Sequence, residues 1–228
     1  MTIINGSFIS GNNITINGRF YGSGSDFQQN TVRGNGEQTH QDRELTDKFT
    51  AVDTSGCIGQ LDITCQAGKN LAQLDGESNI LQALETRVKD GTLFIQGKEG
   101  SNLNPTTPVH VTLFMDGSLS GLDLSGGVHC NAQGLQSNSL NIDMSGGAVA
   151  NLAGSARKLE LDLSGGATLK ATDLQTSAVE ADMSGGASAK VQANGELEFD
   201  GSGGASLGYL GSPSVEKDIS GGARLYQL

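Results

Sequence analysis

One hexapeptide recurs through the second half of the chain: a hydrophobic residue, Asp, a further residue that is usually apolar, then Ser-Gly-Gly. The copies are Leu122-Asp-Leu-Ser-Gly-Gly127, Ile142-Asp-Met-Ser-Gly-Gly147, Leu161-Asp-Leu-Ser-Gly-Gly166, Ala181-Asp-Met-Ser-Gly-Gly186, Phe199-Asp-Gly-Ser-Gly-Gly204 and Lys217-Asp-Ile-Ser-Gly-Gly222. Their serines, Ser125, Ser145, Ser164, Ser184, Ser202 and Ser220, are separated by 20, 19, 20, 18 and 18 residues. A degraded copy, Val52-Asp-Thr-Ser-Gly56, lies upstream. A near-constant period of this length points to a solenoid, because a unit so short cannot bury its own apolar face and must stack on its neighbours.

Two solenoids have units near this size: the leucine-rich repeat, with a helical segment in each unit, and the β-helix, built of strands and turns. Alternation separates them. In Leu140-Asn-Ile-Asp-Met144 the apolar residues fall at every second position, and Ala148, Ala150 and Leu152 resume the same spacing after the glycines, with no 3.6-residue period in any unit. The expected fold is all-β: a parallel, single-stranded β-helix, right-handed by default, with coils of 18–20 residues. Each coil reads as a strand, a glycine corner where a positive φ is permitted, a second strand, and a variable return such as Gly154-Ser-Ala-Arg-Lys158. Coils stack about 4.8 Å apart, so every position becomes a column.

The first half is less regular. Leu61-Asp-Ile-Thr-Cys65, Leu93-Phe-Ile95 and Val109-His-Val-Thr-Leu113 read as strands. Asn79–Val88 reads as a helical segment with Ser78 or Asn79 as N-cap. Gly22–Gln41 is polar, glycine-spotted and poor in apolar residues, and Asn13-Ile-Thr-Ile-Asn17 before it looks like an isolated short strand. The expected organisation is a short strand segment at 1–20, a polar linker or mobile loop at 21–46, an irregular first part of the β-helix at 47–121, and the regular repeat at 122–228.

Composition sets further bounds. A formal net charge of -11 repels phosphate backbones and anionic lipid, so nucleic acid is excluded as a partner and membrane insertion is not expected. The amino terminus shows no basic stretch followed by an apolar run, so no signal peptide is read there; this leans toward the cytoplasm. Cys57, Cys65 and Cys130 make an odd set with no metal-ligand spacing, which fits structural thiols and leaves room for one disulfide.

Asp-Leu-Ser-Gly-Gly resembles the nucleophile motif of chymotrypsin-like proteases, where a serine in a glycine-rich turn needs a histidine base. Here the motif occurs six times and only His40, His110 and His129 exist, so the serines read as corner residues and no catalytic residue or cofactor is assigned. None of the histidines has a metal-ligand spacing. Asp123, Asp143, Asp162, Asp182, Asp200 and Asp218 should form an outward column, because each lies between inward neighbours. Hydrogen bonds from serine hydroxyls or corner amides would offset their mutual repulsion; a Ca²⁺ ladder is the sharper alternative, since that ion needs several oxygen ligands.

The succession Gln73-Leu-Asp-Gly-Glu-Ser-Asn-Ile-Leu81, Val88-Lys-Asp-Gly-Thr-Leu-Phe-Ile95, Val109-His-Val-Thr-Leu113 and then the Ser-Gly-Gly coils resembles the head GIN domain family of autotransporter adhesins, DUF2807, over residues 47 to 228. The resemblance implies a bacterial β-helical domain of exported or envelope proteins, adhesive rather than catalytic. Two departures stand out. Ala or Val follows Ser-Gly-Gly where the family commonly continues with small residues and a second Asp, and the export signal usual in the family is not visible. The function expected is a non-catalytic, adhesin-like module making contacts through its outer faces or ends, as a homo-oligomer or with another protein or cell-surface partner. The alternatives are a cytoplasmic self-assembling scaffold like the bactofilins and, with less support, a carbohydrate-active enzyme like the pectate lyases.

Overall fold

Apolar–polar alternation sets the element type in the strands that line the core, and these assemble into a β-solenoid of stacked parallel coils. The structure, a computed structural model, describes residues 2–4, 7–10, 13–16, 19–21 and 30–228. At its start β1 (Thr2–Ile4), β2 (Ser7–Ser10), β3 (Asn13–Ile16) and β4 (Arg19–Tyr21) pair antiparallel in chain order. The strand expected at Asn13–Asn17 is therefore β3, and it is flanked on both sides by β2 and β4 rather than isolated.

Of the stretch expected to be a linker, residues 22–29 lie outside the described residues. The rest is ordered into β5 (Asn30–Arg33) and β6 (Gln38–Glu44). Next come β7 (Ala51–Thr54), β8 (Ile58–Cys65), β9 (Leu71–Glu77), α1 (Ser78–Ala83), β10 (Leu84–Lys89), β11 (Thr92–Gly97), β12 (Ser101–Asn104) and β13 (Val109–Met115). Strand β6 runs antiparallel to β9, and β5 pairs with β12, so this polar stretch is structured by backbone pairing that its composition does not signal.

The helix is shorter than the sequence suggests and is capped differently. Its N-cap is Glu77, without a side-chain cap bond, because the Ser78 and Asn79 side chains reach across to the 33–37 turn instead. Past Ala83 the alternating Leu84-Glu-Thr-Arg-Val88 pairs with β11 as a hairpin. The Arg43 guanidinium donates to the carbonyls of Leu81 and Leu84 (2.6 and 3.0 Å), satisfying acceptors that the end of a helix leaves free.

The regular part comprises β14 (Gly121–Leu124), β15 (His129–Met144), β16 (Val149–Leu163), β17 (Thr168–Met183), β18 (Ser188–Gly201), β19 (Ser206–Leu210), β20 (Ser214–Ile219) and β21 (Arg224–Gln227). Here the expected anatomy needs one correction. The returns are strand too: Gly154, Ser155 and Ala156 pair with Leu135, Gln136 and Ser137 on one side and with Leu174, Gln175 and Thr176 on the other. The bends fall at register shifts near Ala132 and Asn151, and Gly134 (φ 72°) and Gly154 (φ 135°) supply backbone that other residues rarely adopt.

The upstream copy joins the same stack. Strand β7 pairs in parallel with β14, and β8 with β15, so the coil Ala51–Cys65 sits directly on the coil that begins at Gly121. Its departure from the repeat shows in the core: Thr54 takes the place held by Leu124, Met144, Leu163 and Met183, and its buried hydroxyl has no hydrogen-bond partner. Near the other end size is exchanged between adjacent inward positions. The ring of the fully buried Phe199 lies where a side chain on Gly201 would project, so the larger residue fills what the glycine leaves empty.

Candidate functional site

Residues two apart on a strand share a face, and the stacking turns each such position into a row. On the face carried by β7, β14 and the strands in register with them, Asp53, Asp123, Asp143, Asp162, Asp182, Asp200 and Asp218 are successive Cα partners. The six expected aspartates thus form one column, and Asp53 of the degraded copy is its seventh rung. Beside it stands a second column, Glu160, Glu180, Glu198 and Glu216, with Glu196 one position further along. The sequence signal for that column is Glu-x-Asp ahead of Ser-Gly-Gly in four copies of the repeat.

From β7 through the stacked coils this face carries twelve of the 25 acidic residues against one of the 14 lysines and arginines, Lys158; at its far edge β10 adds Glu85, Arg87 and Lys89. With these the face carries thirteen acids and three bases, so -10 of the chain's formal charge of -11 resides on one sheet face. Lys158 shows what the face accepts. Its ammonium contacts Glu160 and lies 2.8 Å from Glu180, bridging two rungs. At the β11 end the aspartate column meets Phe94, partnered with Asp53, and then Arg87, whose guanidinium lies 5.7 Å from that ring. Here Ala51 and Gly121 leave a trough of about 520 Å³ walled by Phe94, Asp53 and Asp123. Burial raises the pKa of both aspartates, and the charges of Asp53 and Asp143 raise Asp123 further.

The corners do not hydrogen-bond these carboxylates, contrary to the expectation. Their amides continue the stack instead: Gly147, Gly166, Gly186, Gly204 and Gly222 donate to Gly126, Gly146, Gly165, Gly185 and Gly203 at 2.6–2.8 Å. The six serine amides are committed in the same way to the preceding coil. Among the described residues no three His, Cys, Asp or Glu side chains are gathered closely enough to hold a metal ion. The three thiols are free: Cys130 is buried among the inward residues, and Cys57, mostly buried, has its pKa pushed up to about 11 by that burial.

The histidines, scattered in sequence, fall into one cross-strand row on a second face: His40, Asp75, His110, Gln60, His129. His110 Nε2 lies 2.7 Å from Asp62, which also accepts from Gln60 and Asn131 at 2.8 Å each. This row could not be read from the sequence, since it depends on antiparallel pairing of β6, β9 and β13 across gaps of about thirty residues.

The family model described as putative auto-transporter adhesin, head GIN domain (DUF2807), matches residues 48–213. Among solved structures, a putative adhesin from Bacteroides fragilis superposes with a TM-score of 0.68 at 22% identity, covering 86% of this chain and 100% of that one. One from Parabacteroides merdae gives 0.60 at 17% identity, covering 87% and 99%. A third, from Parabacteroides distasonis, gives 0.55 at 16%, covering 87% and 100%. At these identities the structures speak for the fold alone. No curated protein matches the chain. With more than half of its length matched by the family model, the chain belongs to the DUF2807 family, the head GIN domain of the putative auto-transporter adhesins.

Proposed function

We propose that this chain is a non-catalytic contact module that meets a cationic partner surface through its acidic sheet face. The carrying observation is the concentration of nearly all the net charge onto that face, in two columns with one carboxylate per coil. Family membership supports an adhesive role, and the repetition of the serine corner in six coils supports a structural one for a residue type that catalysis would need once. A flat array of like charges gives long-range attraction and orientation to a partner of opposite sign, and that attraction weakens as salt screens it.

Self-association through the last coil is a second reading. Val215, Tyr226 and Leu228 are the exposed large hydrophobics among the described residues, and all three belong to this coil. Against it, Lys217 occupies the inward position that Phe199 holds one coil earlier, and an inward charge on an outer strand discourages edge-to-edge pairing.

The test measures binding of the full chain to an immobilised lysine-rich peptide, with a glutamate-rich peptide as control, at low and high salt. The comparison protein carries Glu180→Gln, Asp182→Asn, Glu198→Gln and Asp200→Asn. Selective, salt-sensitive binding that the four changes weaken at least tenfold is expected. Equal binding by both proteins would reject the acidic face as the contact, and a concentration-dependent dimer in light scattering of the same samples would favour the last coil.

A further inference from the structure

Strand β6 attaches to the solenoid by polar means. None of its residues from Gln38 to Glu44 is buried; they alternate between exposed and half-buried. What holds it, besides the backbone ladder to β9, is a set of side-chain contacts. Just before the strand, Gly36 N–H donates to the buried Glu77 carboxylate at 2.6 Å; near its end, Arg43 is fixed to the carbonyls of Leu81 and Leu84. Between these anchors lies His40. Its Nδ1 is 2.7 Å from Asp75 Oδ1 on β9 and its Nε2 is 3.0 Å from Asp42 Oδ1 on β6 itself.

The chemistry of that arrangement fixes the protonation state. An ionised carboxylate only accepts hydrogen bonds, and a neutral imidazole has a single N–H, so both contacts are hydrogen bonds only when the ring is imidazolium. Remove one proton, and a ring lone pair faces a carboxylate oxygen. The charged and titratable groups around the ring are few. Asp42 shares its strand, Asp75 faces it from β9, Lys69 acts on Asp42 from the turn before β9, and His110 of β13 stands beyond Asp75 with its Nε2 on Asp62. Gln73 of β9 donates to Asp42 at 3.0 Å, and Gln38 to Thr107 at 2.8 Å.

We propose that Asp42, His40 and Asp75 form a proton-operated latch on the edge strand β6: the imidazolium fastens Gln38–Asp42 to β9, and its deprotonation loosens that stretch and uncovers the backbone edge of β9. An edge so uncovered presents unpaired N–H and C=O groups to any strand that can pair with it. The direction with pH follows from the two carboxylates. Hydrogen bonds to Asp75 and then Asp42 raise the His40 pKa above its ordinary 6.5, so the latch is closed below that value and opens as pH rises through the raised one.

Amide hydrogen exchange followed by NMR on the full chain tests this, with protection corrected for intrinsic rates at pH 6 and pH 9. Protection at residues 38–42 should fall by about tenfold for each unit by which the latch raises the His40 pKa, while β16 and β17 stay constant. His40→Gln and Asp75→Asn should each remove the pH dependence, with unchanged β16 and β17 protection reporting that the variant is folded. Equal protection of residues 38–42 at the two pH values in the parent chain, or the same pH dependence in both variants, would overturn the proposal.

Discussion

The corner at Gly165 and the turn at Gly34–Gly36 both redirect the chain between strands, by different means. At Gly165 the backbone takes a φ of 68°, and the amide of Gly186 in the next coil donates to its carbonyl at 2.7 Å. The same bond joins all six Ser-Gly-Gly corners in succession, and no side chain takes part in it. At Gly34–Gly36 side chains from distant residues hold the turn: Ser78 and Asn79 bond to it, and Glu77 accepts from Gly36 N–H and also from the Thr106 amide and hydroxyl, each at 2.7 Å. The regular coils are therefore held by what they share, and the first part by contacts that each occur once. Substitutions at the shared corners should be costly in any environment, whereas damage in the first part should depend on pH.

The largest effect is expected at a bend in the regular coils. A β-carbon on Gly154 would lie 2.2 Å from the Leu135 carbonyl oxygen and 2.6 Å from its nitrogen, both backbone atoms, at a φ of 135°. Gly154→Ala should destabilise the chain by more than about 3 kcal/mol. Gly165→Val should cost about 1 to 3 kcal/mol, since its β-carbon would meet Gly146 O at 3.0 Å in a left-handed backbone. Chemical denaturation reads both. Near-parental stability for either variant would mean that the stacked corners yield more than their geometry allows.

Glu77 sharpens the contrast from the other side. Thr106 hydroxyl, opposed by burial and then joined by the Gly36 and Thr106 amides, lowers its pKa below the ordinary 4.5. A depressed carboxylate contributes stability above its unfolded value and loses it as pH falls through the folded one. In Glu77→Gln the new amide group would turn a donor toward an N–H that needs an acceptor, so the melting temperature should drop at neutral pH. Below pH 4.5 the parent should lose stability more steeply than the variant. Parallel pH profiles would show that the turn does not depend on this carboxylate.

What could be read from the sequence follows the same division. The solenoid and its period were carried by Ser-Gly-Gly repeated beside alternating apolar residues, and the aspartate column followed from them. The returns are not legible as strand because their outward side consists of polar residues such as Ser155 and Gln175, which local propensity assigns to loops; neighbouring coils impose their pairing. The 21–46 stretch reads as a linker for the same reason, since β6 owes its place to β9 and to Glu77, Arg43 and His40 rather than to apolar residues of its own. Contacts such as Gly36 with Glu77 join residues 41 positions apart and leave no periodic trace.

The smallest effect should come from the feature the sequence displayed most openly. Asp143 and Asp162 stand next to each other in a column whose members accept nothing from the corners, so they repel at a distance near the strand spacing. For charges about 5 Å apart in water the repulsion is about 0.8 kcal/mol per pair. Asp218, which ends the column, has one such neighbour, Asp200, so Asp218→Asn should raise the melting temperature slightly, by about 2 to 4 °C at low salt for a chain of this size, with the gain shrinking as ionic strength rises. Changing Asp143 and Asp162 together to Asn removes three such contacts and should raise it up to about three times as far. The same pair settles the calcium alternative. A bound ion stabilises only as its concentration exceeds its dissociation constant, and with one carboxylate per rung, millimolar Ca²⁺ should scarcely move the parent. A rise of about ten degrees that the two Asn changes abolish would make the column a calcium ladder.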